Sequence, residues 1–482
     1  MNRDTGPADK RASKIARQIE ADIVRRGWIV GESLGSEQGL QQRYEASRSV
    51  LREAVRLLEH HQVARMRRGP KGGLFICEPD AAPATRAVVI YLEYLGTTLG
   101  DLLNARLVLE PLAASLAAER IDEAGIERLR AVLRAEQQWK PGMPAPRDDF
   151  HIALAQQSKN PVLQLFIDVL MRLTARYARK SRTGSAGEAI ELVDRTHTDH
   201  ADIVAAVTAG DAAWAKTLSE RHVKAVTAWL QEHQRGENAP PSGDRQARVN
   251  LDAPRGKRAE VLAATIGDEI AASGWRVGSV FGTETELLER YRVSRSVLRE
   301  AVRLLEHHAV AHMRRGPGGG LIVSQPEAQA SIDTIALYLQ YRQPTRDDFR
   351  CVREAIEIDS VTKVVAKVVE GRDESAVAAF LDTAVRCETA DEMGNFALRE
   401  SQFHIGLAEL AGNALLDLFL RIVIELFRRQ WSSTGQGSPT RTDVAAAEHA
   451  HLRILQAIGD GDDSLARYRV RRHLDAAASW WP

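Results

Sequence analysis

The fifteen residues SRSVLREAVRLLEHH stand at 47–61 and, letter for letter, again at 294–308. An identical segment of that length restricts the chain to a duplicated architecture. The repeat continues in register. RYEASRSVLREAVRLLEHHQVARMRRGPKGGLFI pairs with RYRVSRSVLREAVRLLEHHAVAHMRRGPGGGLIV at an offset of 247, and upstream RRGWIVGESLGSEQGL pairs with ASGWRVGSVFGTETEL. Further on the likeness thins but persists, with FHIALAQQSKNPVLQLF (150–166) answering FHIGLAELAGNALLDLF (403–419). Each half is about 240 residues long, a basic domain followed by a longer one. The stretch 233–257, rich in Pro, Gly and polar residues and without apolar periodicity, reads as a linker.

This pattern divides the 482 residues into 12–80, 85–232, the linker 233–257, 258–327 and 330–482. Arg, Ala and Leu are abundant, and all three favour helices. No apolar run reaches the roughly 18–20 residues that cross a bilayer. The N-terminal MNRDTGPADKRASK has no hydrophobic region behind its charges, so no secretory signal is expected. Cys77, Cys351 and Cys387 show no ligand spacing and are expected to be reduced thiols of a cytoplasmic protein.

Formal net charge is zero, but its distribution is uneven. Residues 43–71 carry a net +5, and so do residues 290–318. Both basic patches contain the repeated segment, which points to nucleic acid as the partner.

Within the first patch, Ser36 is a good N-cap for a helix over EQGLQQRY, a turn follows at Glu45–Ala46, and Ser47 caps a second helix. Val50, Ala54, Leu57 and Leu58 recur at helical spacing and are expected to form its buried stripe. Arg48, Ser49 and Arg52 fall outside that stripe in the first turns. This is helix-turn-helix geometry, in which the second helix offers its N-terminal side chains to the major groove of double-stranded DNA. A guanidinium fork can pair bidentately with guanine, for about 1–3 kcal/mol of discrimination per contact. VARMRRGPKGGLFI then reads as two short strands around a Gly/Pro turn, a wing with Arg67 and Arg68 at its tip, placed to reach phosphates or the minor groove. The expected DNA-contact set is therefore Arg43, Ser47, Arg48, Ser49, Arg52, Arg67, Arg68 and Gly69. Its second copy is Arg290, Ser294, Arg295, Ser296, Arg299, Arg314, Arg315 and Gly316.

These basic domains resemble the winged helix-turn-helix of the GntR family of bacterial transcription regulators, whose signature pairs an SExxLA helix with SRxxVREAL. The chain keeps SRSVLREAV, with Val50 and Val297 where proline is usual and Gly35 and Gly282 where PSE is common. The resemblance implies DNA contact by Arg48, Arg52 and Gly69, and by Arg295, Arg299 and Gly316.

Residues 85–232 and 330–482 carry helical apolar patterns throughout, so each is expected to be an all-α bundle and the whole chain mainly α. Their histidines recur. His151, His200 and His222 answer His404, His451 and His473, with the last two 22 residues apart in both halves. Neutral imidazoles converging with a carboxylate suit Zn²⁺ or a similar divalent ion. In the second half Glu400 lies at i−4 from His404, on the same helix face. In the first half that place is Arg147, and the nearest carboxylate is Asp148 at i−3, so the second site is the more complete.

The larger domains are similar to the FCD sensing domain of the FadR subgroup of GntR regulators, where an Asp and three His hold a metal that binds small carboxylates. The resemblance implies a small-molecule effector, a metabolic carboxylate, and makes Arg106 and Arg353 the positional candidates for holding it. Regulators of this kind work as homodimers on palindromic sites. Here one chain supplies both heads as a pseudo-dimer, with further homodimerisation to four heads left open, and is expected to repress from a near-palindromic operator. Two other classes stand beside this one: a metal-dependent hydrolase, which lacks an HExxH motif here, and an architectural DNA-binding protein that ignores small molecules.

Overall fold

The computed structural model describes residues 7–69, 72–138, 149–180, 186–233, 255–314, 316, 318–326, 328–388, 396–432 and 440–477. The first half begins with α1 (Pro7–Arg25), β1 (Ser33–Gly35), α2 (Glu37–Arg43), α3 (Arg48–His60), β2 (Ala64–Arg67) and β3 (Gly73–Ile76). The connecting helix α4 (Ala81–Tyr94) then leads to α5 (Leu99–Arg120), α6 (Glu123–Gln137), α7 (Asp149–Gln157), α8 (Pro161–Lys180), α9 (Ala186–Thr208) and α10 (Ala212–His233). The second half repeats the order: α11 (Arg255–Ala272), β4 (Val280–Gly282), α12 (Glu284–Tyr291), α13 (Arg295–His307), β5 (Ala311–Arg314) and β6 (Gly320–Val323). After α14 (Ala328–Arg342) come α15 (Arg346–Val369), α16 (Glu374–Glu388), α17 (Phe396–Ala411), α18 (Ala414–Ser432), α19 (Arg441–Gly459) and α20 (Asp463–Ala477). The fold is mainly α, as expected. The starts expected at 85 and 330 fall inside α4 and α14, and residues 234–254 of the expected linker lie outside the described residues.

Two compact units are formed, residues 1–87 with 331–344 and residues 88–330 with 345–482. The first holds a winged helix-turn-helix around one apolar core that includes Ile19, Ile23, Leu40, Leu51, Ala54, Leu58 and Leu74. Ser36 and Ser47 accept hydrogen bonds from Gly39 N and Val50 N and so fix where α2 and α3 begin. Ala54 and Leu58 of α3 are buried as expected, but Val50 and Leu57 are only partly so, and Leu51 and Val55 complete the stripe. The buried face is thus rotated by about one residue from the expected one, because α3 leans on both α1 and the sheet. The wing also has a third strand that the pattern of apolar residues did not announce. Its sheet order is β1-β3-β2, all antiparallel. Gly73 is needed where β3 crosses β1, since a Cβ there would lie 2.6 Å from Gly35 O. Helix α14 of the second half closes this unit: Leu337 joins its core, and Tyr341 meets Trp28 with ring centroids 5.6 Å apart.

The second unit contains the other winged domain, with sheet order β4-β6-β5 and the same serine cap, Ser294 to Val297 N. Here α4 of the first half does the closing. Ile90 and Tyr94 pack on the core of this domain, and Tyr94 meets Trp275 edge-on at 5.8 Å. The two bundles adjoin within the same unit. Phe166 and Phe419 stack at 3.9 Å, flanked by matching asparagines. Asn160 Nδ2 donates to Asp348 O (2.9 Å) and approaches Cys351 Sγ (3.2 Å). Asn413 Nδ2 donates to Asp101 O (3.0 Å) and to Asn104 Oδ1 (2.9 Å). Each asparagine also caps the helix behind it through its Oδ1. The contact is self-complementary in the manner of a two-fold dimer interface, built here from one chain.

Candidate functional site

Each bundle brings its three histidines together in the interior. In the second, α17 supplies Glu400 and His404 one turn apart, α19 supplies His451 and α20 supplies His473, all 3% exposed or less. His404 Nε2 lies 3.1 Å from Glu400 Oε1 and 3.2 Å from His473 Nε2. His451 Nε2 lies 3.0 Å from Glu400 Oε2 and 3.2 Å from His473 Nε2. Three ring nitrogens and a carboxylate thus face one point, and these four could hold a divalent ion. Burial pushes the Glu400 carboxyl up, but His451, His473 and the His404 hydrogen bond outweigh it and hold it well below the usual range. Burial holds the His473 imidazole below its ordinary value, against the raising influence of Glu400.

The orientation comes from a layer of groups behind the ligands. His404 Nδ1 sits 2.6 Å from Glu357 Oε2, which leaves Nε2 to face the cluster. Glu357 is itself gripped by Arg353, Nε to Oε1 at 2.5 Å. Phe403 stacks on the His451 ring at 3.9 Å and sets its plane.

The first bundle repeats much of this. His151 on α7, His200 on α9 and His222 on α10 converge, with Phe150 stacked on His200 at 3.7 Å. All three Nδ1 atoms are held by carboxylates. His151 is 2.8 Å from Glu110, His200 is 3.0 Å from Glu136, and His222 is 3.2 Å from Asp199. The Nε2 atoms of His200 and His222 are buried without a hydrogen-bond partner, an arrangement suited to a metal ion and costly without one. Asp148 and Arg147, which decide whether this set has a fourth ligand, lie outside the described residues. Arg106 pairs with Glu110 at 2.5 Å, as Arg353 does with Glu357. Glu110 and Glu357 were missed in the sequence. Their signal was there: RLVLE and REAIE place an Arg and a Glu at i, i+4 in both halves.

The expected DNA-contact residues divide. Arg48, Ser49 and Arg52 are exposed at the start of α3, where Glu37 of α2 takes both guanidiniums (3.2 and 2.9 Å). The Arg52 hydrogen bond holds the Glu37 carboxyl low. Arg295 and Arg299 are exposed on α13, with Arg295 3.7 Å from Glu284. Ser47 and Ser294 serve as caps and reach Ser49 and Ser296 at 3.1 and 2.9 Å. Arg43 instead donates to Leu34 O at 3.1 Å, and Arg290 pairs with Glu269, so both brace their domains. In the wings, Arg67 lies over the Phe75 ring and Arg314 donates to Gly318 O, while Arg68 is exposed beside Gly69. Gly69 and Gly316 both take positive φ. Arg315 lies outside the described residues.

The model of the FCD domain matches residues 101–225 and again 348–476, and that of the bacterial regulatory proteins, gntR family, matches 11–76. The HTH-type transcriptional regulator LutR of Bacillus subtilis is 29% identical over 199 residues, 41% of this chain and 90% of that protein. The Uxu operon transcriptional regulator of Escherichia coli is 24% identical over 249 residues, 44% of this chain and 82% of that protein. Among solved structures, Streptococcus agalactiae GntR aligns with a TM-score of 0.33 at 22% identity, over 45% of this chain and 99% of that one.

Proposed function

Because the chain belongs to the FCD-domain regulators of the bacterial gntR family, which are DNA-binding transcription regulators, we propose that it reads a near-palindromic operator through two heads carried on one polypeptide. The observation that carries this reading is the identical helix Arg48–His60 and Arg295–His307, set on the same serine cap in the same helix-turn-helix-wing order. Arg48, Ser49, Arg52 and their counterparts Arg295, Ser296 and Arg299 are the base-reading groups, with Arg68 on phosphate. Tethering places the second head at an effective concentration in the mM range, so occupancy depends little on protein concentration.

The sensing element is the second bundle. Glu400, His404, His451 and His473 hold a divalent ion such as Zn²⁺, which when bound supplies a Lewis-acidic position for a carboxylate effector. Glu357 fixes the His404 tautomer, and Arg353 fixes Glu357. The first bundle serves as scaffold or as a second metal site. The effector acts by favouring one placement of the heads over another, an effect of a few kcal/mol. The relatives are named as transcription regulators, and neither the hydrolase nor the purely architectural reading finds support among them.

The test is fluorescence anisotropy on an operator selected from random duplexes. Arg48→Ala with Arg52→Ala, and separately Arg295→Ala with Arg299→Ala, should each lower affinity for the two-half-site duplex at least a hundredfold. Neither pair should abolish the residual affinity for one half-site. Full affinity in either double variant would overturn the two-headed reading.

A further inference from the structure

We propose that the effector of the second bundle is a monocarboxylate with an apolar, ring-sized body, and not a polyhydroxylated or dicarboxylic acid. This rests on the carboxylate reading above and narrows it. A cavity of about 200 Å³ is bounded by Phe349, Val423, Phe427, Leu474, Ala477 and Arg353, the last of which reaches towards the cluster. Phe349, Val423, Leu474 and Ala477 are 4% exposed or less. Phe349 and Phe427 stand edge to face, centroids 6.1 Å apart at 83°, an arrangement that an aromatic body can extend.

Two features set the class. Phe349, Val423, Phe427, Leu474 and Ala477 make most of the wall hydrocarbon. A hydroxyl placed there loses its water and finds no partner, whereas a ring or branched chain is rewarded for burial. The other charged groups, Arg346, Asp347 and Arg350, stand at the N-terminal end of α15. Arg350 is already engaged by Asp347 at 2.8 Å and Asp475 at 3.3 Å, so it offers little to a second carboxylate. Arg353 is the buried cation. Its Nη2 is 3.9 Å from Glu400, which joins the cavity to the cluster.

The first bundle carries different residues at the same places. Leu99, Leu102 and Leu103 replace Arg346, Phe349 and Arg350, and all three are buried. Arg106 is 2% exposed where Arg353 is 9%. The difference assigns effector entry to the second half.

Calorimetry on the full chain loaded with Zn²⁺, with metal content measured after each titration, separates the possibilities. Phenylacetate should bind at least tenfold more tightly than D-gluconate or glutarate. Phe427→Leu and Val423→Thr should each weaken phenylacetate several-fold and leave bound Zn²⁺ unchanged. Gluconate or glutarate binding as tightly as phenylacetate would overturn the apolar-body class and leave the carboxylate reading standing. Phenylacetamide binding as well as phenylacetate would instead sink the carboxylate reading. No detectable binding of phenylacetate would overturn the proposal itself.

Discussion

Phe166 and Phe419 stack face to face where the two bundles meet, ring centroids 3.9 Å apart and planes 4° from parallel. The two residues occupy the same place in FHIALAQQSKNPVLQLF and FHIGLAELAGNALLDLF, so the contact pairs equivalent positions of the two repeats. Both rings are fully buried. Truncating either should remove about 3–5 kcal/mol, the range for a buried Phe→Ala. We expect Phe419→Ala to lower the unfolding free energy, read from urea titration, by an amount in that range, and a value within error of the parent would show that the bundles do not rely on this contact.

The ligand arrangement predicts metal content. Glu400→Gln keeps the shape of the side chain but replaces an anionic ligand with a neutral amide. Bound Zn²⁺ measured by atomic emission should fall by one equivalent per chain. Glu357→Gln leaves all four ligands in place and loosens only His404, so Zn²⁺ affinity should drop about 10–100-fold. An unchanged affinity in both variants would mean that the second cluster is not the metal centre.

Acid should destabilise the metal-free protein. Burial, aided by the neighbouring His151, drives His222 down to about 3 and His200 well below its ordinary value. Unfolded, both titrate near 6.5. Below that pH the unfolded chain binds more protons than the folded one, so stability is lost as pH falls from about 6.5 towards 3. The slope is at most about 1.4 kcal/mol per pH unit for each imidazole. His473, also lowered by burial, acts in the same direction. Urea midpoints of chelator-treated protein should decline between pH 7 and 5, and a flat profile would contradict the buried neutral imidazoles.

Cys351 should be slow to alkylate. Burial first, then Asp347 and Asp348, push its thiol up to about 12. At pH 8 its thiolate fraction is roughly a thousandfold below that of a free cysteine. Peptide mapping after timed iodoacetamide treatment should find Cys351 largely unmodified in folded protein. Asn160→Ala, which removes its neighbour across the bundle contact, should speed the reaction. Modification of Cys351 at the rate of a free thiol would show that the contact is open in solution.

The repeat and its period announced both winged domains, their caps and the two histidine sets, because those features rest on local spacing in a helix. Glu400 was legible for the same reason, one turn before His404. Glu136 and Asp199 were not, since they reach their histidines from positions without a common spacing, through tertiary packing alone. The third wing strand, three residues long, is too short to show a period. The seating of Tyr94 on Trp275 and of Tyr341 on Trp28 was also invisible, as nothing in a linear repeat says which copy a helix will cover.

On this reading one chain supplies both reading heads. That is tested most directly by native mass spectrometry of the protein on a duplex carrying both half-sites. The account predicts one chain per duplex, and a duplex with a single half-site should be bound far more weakly. Two chains on the two-half-site duplex, each engaging one half-site, would contradict it.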